Sequence, residues 1–138
     1  MDLYAFKIYM LDVGLLLAMT DLDASVIIDG NRIFAEFKGA LTEQYVLQQM
    51  IAELGVEPYY YTTANSTGEI DFMLQGDLDC IPLEVKAEQN LRAKSLKAFC
   101  DKYHPQHAVR TSMSDFREQD WMTNIPLYNI DRIGEYLK

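Results

Sequence analysis

An α/β domain built on a mixed β-sheet is the fold class this sequence predicts, and three observations predict it. Ile70, Phe72 and Leu74 recur at every second position, as do Leu83, Val85 and Ala87, which is the period of a half-buried strand. The turn-forming linker Gly76-Asp77-Leu78-Asp79 joins these two runs, so they read as an antiparallel hairpin. Helical spacing stands before the hairpin and again after it, and further strand-like runs follow the second helix. The order is helix, three strands, helix, strand: a central mixed sheet of at least four strands, flanked by helices.

Each element has its own signal. Lys7-Ile8-Tyr9-Met10 reads as a short strand, and Asp12 is placed to cap a helix beginning near Gly14. From Phe34 to Leu54 an apolar stripe recurs at Ala40, Leu47, Met50 or Ile51, and Leu54. Gly55 supplies the C-cap and Pro58 follows. Glu57 to Thr63, with three consecutive tyrosines, reads as a strand leading into the loop Ala64-Asn65-Ser66-Thr67-Gly68. After the hairpin, a helix from about Arg92 to Tyr103 is expected to bury Leu96, Phe99, Cys100 and Tyr103, and Pro105 stops it. His107–Thr111 and Pro126–Ile130 read as strands, and Arg132–Leu137 as a final helical turn.

The bulk numbers set bounds. A length of 138 residues predicts one domain, residues 1–138, large enough to bury a core without staples. No apolar run approaches the roughly 20 residues of a membrane span, and Met1-Asp2-Leu3-Tyr4 lacks the basic start of a signal peptide. Cys80 and Cys100 are too few for a disulfide framework, so buried reduced thiols in a cytoplasmic protein with no membrane partner are expected. The net charge of −9 predicts weak binding to nucleic acid, because phosphate contacts need a basic footprint. Lys86, Arg92, Lys94, Lys97 and Lys102 are the one basic run, and the solvated face of a helix is its commoner meaning.

The chemistry gathers on the hairpin. Because side chains alternate faces, Asp71, Glu84 and Lys86 are expected to leave the apolar face together. Asp71 then lies roughly opposite Glu84, with Lys86 one step along. Two carboxylates beside an ammonium can hold a divalent cation and a water, the chemistry of metal-assisted phosphodiester cleavage. Glu43 falls three residues after Ala40 and four before Leu47, on the stripe expected to face the sheet. A carboxylate there is either a partly exposed flank position or needs a partner: a salt bridge to a nearby Lys or Arg, or a metal shared with Asp71 and Glu84. Other features read as structure: the His104–His107 pair flanks a proline without further ligands, Trp121 is a core anchor, and Tyr59, Tyr60 and Tyr61 pack a sheet face.

The ordered set Glu43, Gly68-Glu69-Ile70-Asp71-Phe72 and Leu83-Glu84-Val85-Lys86-Ala87 resembles the PD-(D/E)XK nuclease superfamily, the restriction-endonuclease-like fold. Lys7-Ile8-Tyr9-Met10-Leu11-Asp12-Val13-Gly14-Leu15, Lys38-Gly39-Ala40-Leu41-Thr42-Glu43, Arg92-Ala93-Lys94-Ser95-Leu96 and Asn124-Ile125-Pro126-Leu127-Tyr128 are similar to one branch of it. That branch is the C-terminal domain, of largely unassigned function, of many predicted prokaryotic AAA+-type ATPases. The resemblance implies Asp71 and Glu84 as ligands of Mg²⁺ or Mn²⁺, Glu43 as an accessory ligand or orienter, and Lys86 as the group that positions or activates water. The chain has no G-x-x-x-x-G-K-[ST] phosphate loop, so a C-terminal fragment of a larger ATPase, without its N-terminal ATPase module, is expected. Two functions follow. One is a metal-dependent nuclease domain cleaving DNA or RNA; the alternative is a non-catalytic accessory domain that regulates or tethers the ATPase.

Overall fold

The hairpin forms as its alternation predicts. In the computed structural model, which describes residues 6–20, 32–63, 68–77, 79–87 and 92–138, strand β2 (Glu69–Gln75) pairs antiparallel with β3 (Cys80–Val85). The turn closes through the Gly76 N–H donating to the Asp79 carbonyl at 2.9 Å. Strand β1 (Tyr59–Thr62) adds antiparallel to β2 on the outer side. On the other side β4 (Val109–Ser112) runs parallel to β3, and β6 (Thr123–Pro126) parallel to β4. The short β5 (Arg117–Glu118) closes the far edge, antiparallel to β6. The result is one mixed six-stranded sheet in the order β1-β2-β3-β4-β6-β5.

Helices cover both faces. Asp12 caps α1 (Val13–Met19), its carboxylate accepting from the Leu15 N–H at 2.8 Å. Helix α2 (Arg32–Gln49) runs on into a π-helical turn, Met50–Leu54, that ends at Gly55. Gly55 has φ +63, the left-handed cap that favours glycine. Helix α3 (Lys94–Tyr103) is the parallel crossover between β3 and β4, and His104 takes its left-handed cap before Pro105. Val46 of α2 and Met50 of the π-helical turn pack with Phe72, Leu74, Ile81, Leu83, Val85, Val109 and Ile125 on one sheet face. Leu96 and Cys100 of α3 pack with Ile70, Ala108 and Met122 on the other. Truncating a residue such as Leu83 to alanine in such a core costs roughly 2–5 kcal/mol. No helix among the described residues is long and apolar enough to cross a membrane.

Several elements differ from expectation. Lys7–Met10 is not a strand; its backbone pairs with a side chain instead of the sheet. Among the described side chains, the buried positions of α2 are Leu41, Thr42, Gln44 and Val46, followed by Met50 in the π-helical turn, whereas Ala40 and Ile51 are exposed. Polar Thr42 and Gln44 hid that face from an apolar count. Tyr103 lies at the surface, where its hydroxyl meets that of Tyr61 at 3.0 Å. The last strand ends at Pro126 rather than starting there, and Leu127–Tyr136 is a kinked 3-10 segment. Cys100 is buried as expected, but Cys80 is exposed at the start of β3. Four residues of the expected loop, 64–67, lie outside the described residues.

Candidate functional site

Strand β2 is not regular where Asp71 stands. Tyr59 pairs with Met73 but Tyr61 with Ile70, so Tyr60 alone faces both Asp71 and Phe72. This bulge breaks the two-residue alternation. Ile70 and Met73 therefore pack toward α3, while Phe72 and Leu74 pack toward α2. Asp71 is turned to the α2 side with Phe72. Its Oδ2 accepts from the Val85 N–H at 2.8 Å, taking the place of a backbone carbonyl where β2 leaves β3.

An ammonium sits among the carboxylates on that side. Lys7 Nζ lies 2.6 Å from Glu69 Oε1, 3.3 Å from Glu43 Oε2 and 3.8 Å from Asp71 Oδ1. Tyr9 donates to the same Glu43 oxygen at 3.1 Å, and its ring lies 5.9 Å from that of Phe72. The buried Gln44 amide holds the segment: its Oε1 accepts from the Met10 N–H at 2.8 Å, and its Nε2 donates to the Met10 carbonyl at 2.9 Å. One turn later Gln48 accepts from the Val13 N–H at 3.1 Å. The segment 7–13 is thus strapped along α2.

Electrostatics follow from this packing. Burial pushes the Asp71 carboxyl up to about 6; the Val85 hydrogen bond and Lys7 oppose that shift, and the charges of Glu43 and Glu84 add to it. Burial works against the Lys7 charge, but Glu69, Glu43 and Asp71 outweigh it and hold the ammonium above the usual lysine range. Burial, together with the Glu43 charge, keeps the Tyr9 phenol protonated well above the ordinary range.

Glu84 and Lys86 are arranged separately. Glu84 stands between Leu83 and Val85, both on the α2 face, so its side chain leaves toward the other face. It is 4% exposed, and its Oε1 lies 2.6 Å from Lys86 Nζ. Across the parallel register it adjoins Arg110, which is 1% exposed and donates from Nε to Asn124 Oδ1 at 2.9 Å. Burial pulls the Arg110 pKa down while the Glu84 charge opposes that fall.

The sequence-predicted set is therefore brought together in two pairs. Glu43 and Asp71 meet through Lys7; Glu84 and Lys86 meet directly. Lys7, Tyr9, Glu69, Gln44 and Arg110 complete the site and were not among the residues singled out as functional. Lys7 and Tyr9 share one side of an extended run, which is the signal they carried. Arg110 sits amid apolar strand residues, and a lone cation there needs an acidic neighbour.

For a divalent cation, the donor chemistry is suitable in part. Glu84 Oε2 is buried with no hydrogen-bond partner among the described residues, and carboxylate oxygens are the donors that Mg²⁺ and Mn²⁺ take. No group of three or more His, Cys, Asp and Glu side chains among the described residues is arranged to hold a metal ion. The residues suit an ion bound by one or two carboxylates and water, and not a cage made wholly of protein groups.

Fold and site together define a mixed α/β domain with an acidic, lysine-containing centre at the point where two central strands part. Residues 38–130 match the family described as Domain of unknown function (DUF4143), so the chain belongs to that family. It is a family associated with AAA-ATPase-containing proteins. No curated protein and no solved structure matches the chain.

Proposed function

We propose that this is a restriction-endonuclease-like domain that cleaves phosphodiester bonds in DNA or RNA with the help of Mg²⁺ or Mn²⁺, in association with an AAA+-type ATPase. The observation that carries the reading is Glu84: a carboxylate 4% exposed, with one oxygen unpartnered among the described residues and Lys86 at 2.6 Å from the other. A buried carboxylate oxygen left without a partner is costly, and a bound cation would satisfy it. The strand order supports the fold, since an antiparallel three-strand meander followed by parallel β4 and β6 carries Asp71 and Glu84 on adjacent strands. In this reading Glu84 holds the ion through its spare oxygen and Asp71 reaches it at the β2–β3 seam, where the Glu84 charge already bears on Asp71, while Glu43 orients Asp71 and Lys86 orients water or steadies the phosphate. A bound divalent ion would supply Lewis acidity, lowering the pKa of a ligated water and offsetting the charge of the phosphate.

The expected result is slow, poorly sequence-selective cleavage of DNA or RNA in Mn²⁺, lost in Asp71→Ala, Glu84→Ala and Lys86→Ala. Lys86→Ala should retain Mn²⁺ binding by calorimetry while losing turnover, because it removes no oxygen ligand. Nucleic-acid binding by the domain alone should be weak and steeply salt-dependent, given a net charge of −9. The basic run is in part already engaged: Lys97 pairs with Asp101, and the Lys102 ammonium lies 4.8 Å from the Tyr103 ring centre.

A second reading has an observation of its own. Lys7 already neutralises Asp71 and Glu43, as a retired site in an accessory domain would have it. Wild type that stays inert on DNA and RNA with the ATPase module supplied would establish that accessory role and end the nuclease reading.

A further inference from the structure

Three aromatic rings line a hollow of about 260 Å³ between α3 and the outer strands β1 and β2. Tyr61 stands edge-on to Phe99 and to Tyr103, with ring centres 5.1 and 5.9 Å away, and Phe99 lies 4.7 Å from Tyr103. The hydroxyls of Tyr61 and Tyr103 meet at 3.0 Å, which ties these two rings together. The rings are not sealed into the core: Tyr103 is 48% exposed, above a buried apolar floor at Ile70. Lys94 and Lys102 stand at the rim, both exposed. The Lys102 ammonium lies 4.8 Å from the Tyr103 ring centre, a contact that holds it there and leaves its charge intact. Glu69, the carboxylate at the rim, is paired with Lys7 at 2.6 Å. On a chain of net charge −9 this hollow is thus locally cationic.

The hollow also adjoins the acidic centre. Ile70 precedes Asp71, whose carboxylate accepts from the Val85 N–H at 2.8 Å. Ile70 and Glu84 point to the same face of the sheet, from adjacent strands about 5 Å apart. We propose that this hollow seats one unpaired base of a single-stranded nucleic acid, with the adjoining backbone phosphates on Lys94 and Lys102. The inference rests on the reading of nucleic acid as substrate, and it names the form of that substrate. A base stacks on a tyrosine or phenylalanine ring only with its π-face free, and stacking within a duplex denies it that face. A single strand presents such faces without the cost of extruding a base. A strand with its phosphate at Glu84 and Lys86 carries a neighbouring base to the aromatic hollow. Every base has a π-face, so the seat selects strandedness and not sequence.

The test is fluorescence anisotropy of the full chain, in EDTA and low salt, with an end-labelled oligo-dT of about twelve nucleotides, within the span of single-strand binders. The same strand annealed to oligo-dA is the duplex probe. Wild type should bind the single strand at least about tenfold tighter than the duplex, from the stacking of one base. Tyr103→Ala should weaken single-strand binding about tenfold and leave duplex binding unchanged, whereas Tyr103→Phe, which keeps the ring, should bind as wild type does. Tyr59→Ala, which removes an exposed ring outside the hollow, should change nothing. Lys94→Gln/Lys102→Gln should lower the salt slope by about 1.4, at about 0.7 per phosphate contact on a single strand, and it stands in if Tyr103→Ala fails to fold. Equal affinity for the two probes, or binding to neither, overturns the proposal, and so does single-strand binding indifferent to Tyr103→Ala. Single-strand binding through Tyr103 with no cleavage in Mn²⁺ leaves the base seat established and removes the nuclease. Cleavage in Mn²⁺ that favours duplex and ignores Tyr103→Ala keeps the nuclease and removes the seat.

Discussion

Replacing Arg110 with methionine is expected to destabilise the domain by about 1–3 kcal/mol, the usual cost of leaving buried polar groups short of a partner. Methionine fills much of the same space, so the loss is electrostatic more than a matter of volume. Arg110 is enclosed between β3 and β6, with Glu84 in register on one side and Asn124 on the other. Asn124 is itself saturated: it accepts from Arg110 and Ser112 and donates to the carbonyls of Ser114 and Asp115. Without the guanidinium, Glu84 keeps Lys86 alone, at the edge of solvent. Urea denaturation measures the loss as a lower midpoint at unchanged slope. Adding Glu84→Leu to Arg110→Met should restore part of the stability, since two apolar side chains carry no stranded charge; the cycle isolates the coupling between the two. A single variant as stable as wild type would show that Glu84 needs no cation at its back.

Asp71→Asn is expected to stabilise the domain at pH 8 and to make no difference near pH 4. In the folded chain the Asp71 carboxyl takes up its proton near pH 6, well above the 3.8 of an unperturbed aspartate. The folded state thus binds this proton more tightly than the unfolded state does. The contribution to stability is fully present below pH 3.8 and lost as pH rises through 6. At one unit per 1.36 kcal/mol the ceiling is about 3 kcal/mol, and partial exposure and Lys7 reduce the expected gain to about 1–2 kcal/mol. Asparagine keeps an oxygen for the Val85 N–H, so the sheet hydrogen bond need not be lost. Thermal melts of both proteins across pH 4–8 give the difference directly. A difference that does not vary with pH would mean that the Asp71 carboxylate is not strained by burial.

Much of the architecture was legible because it rests on short-range rules. The hairpin followed from two-residue alternation and a turn-forming linker, α1 from the Asp12 cap, and the end of the long helix from Gly55. What was not legible depends on side chains replacing backbone. Lys7–Met10 has the composition of a strand, but its hydrogen bonds go to Gln44, and nothing in a linear pattern marks a glutamine as a pairing partner. The site was half legible for the same reason. Strict alternation places Asp71 and Glu84 on one face, and the bulge opposite Tyr60 turns Asp71 to the other. A one-residue slip of this kind reverses a side chain's face and leaves the apolar pattern almost intact. Glu69 was passed over because its role arises only through Lys7, 62 positions away in the chain and reached by no local rule.

The bond from the Val85 amide to Asp71 makes one rung of the sheet out of a site residue. Occupancy of the acidic centre and the integrity of the β2–β3 seam are therefore a single variable. A ligand that draws the Asp71 carboxylate away strips Val85 of its acceptor and frees that amide to exchange with solvent. The backbone beneath the Glu84-Val85-Lys86 run would then report, in its hydrogen-exchange rate, whether the centre above it is empty or engaged.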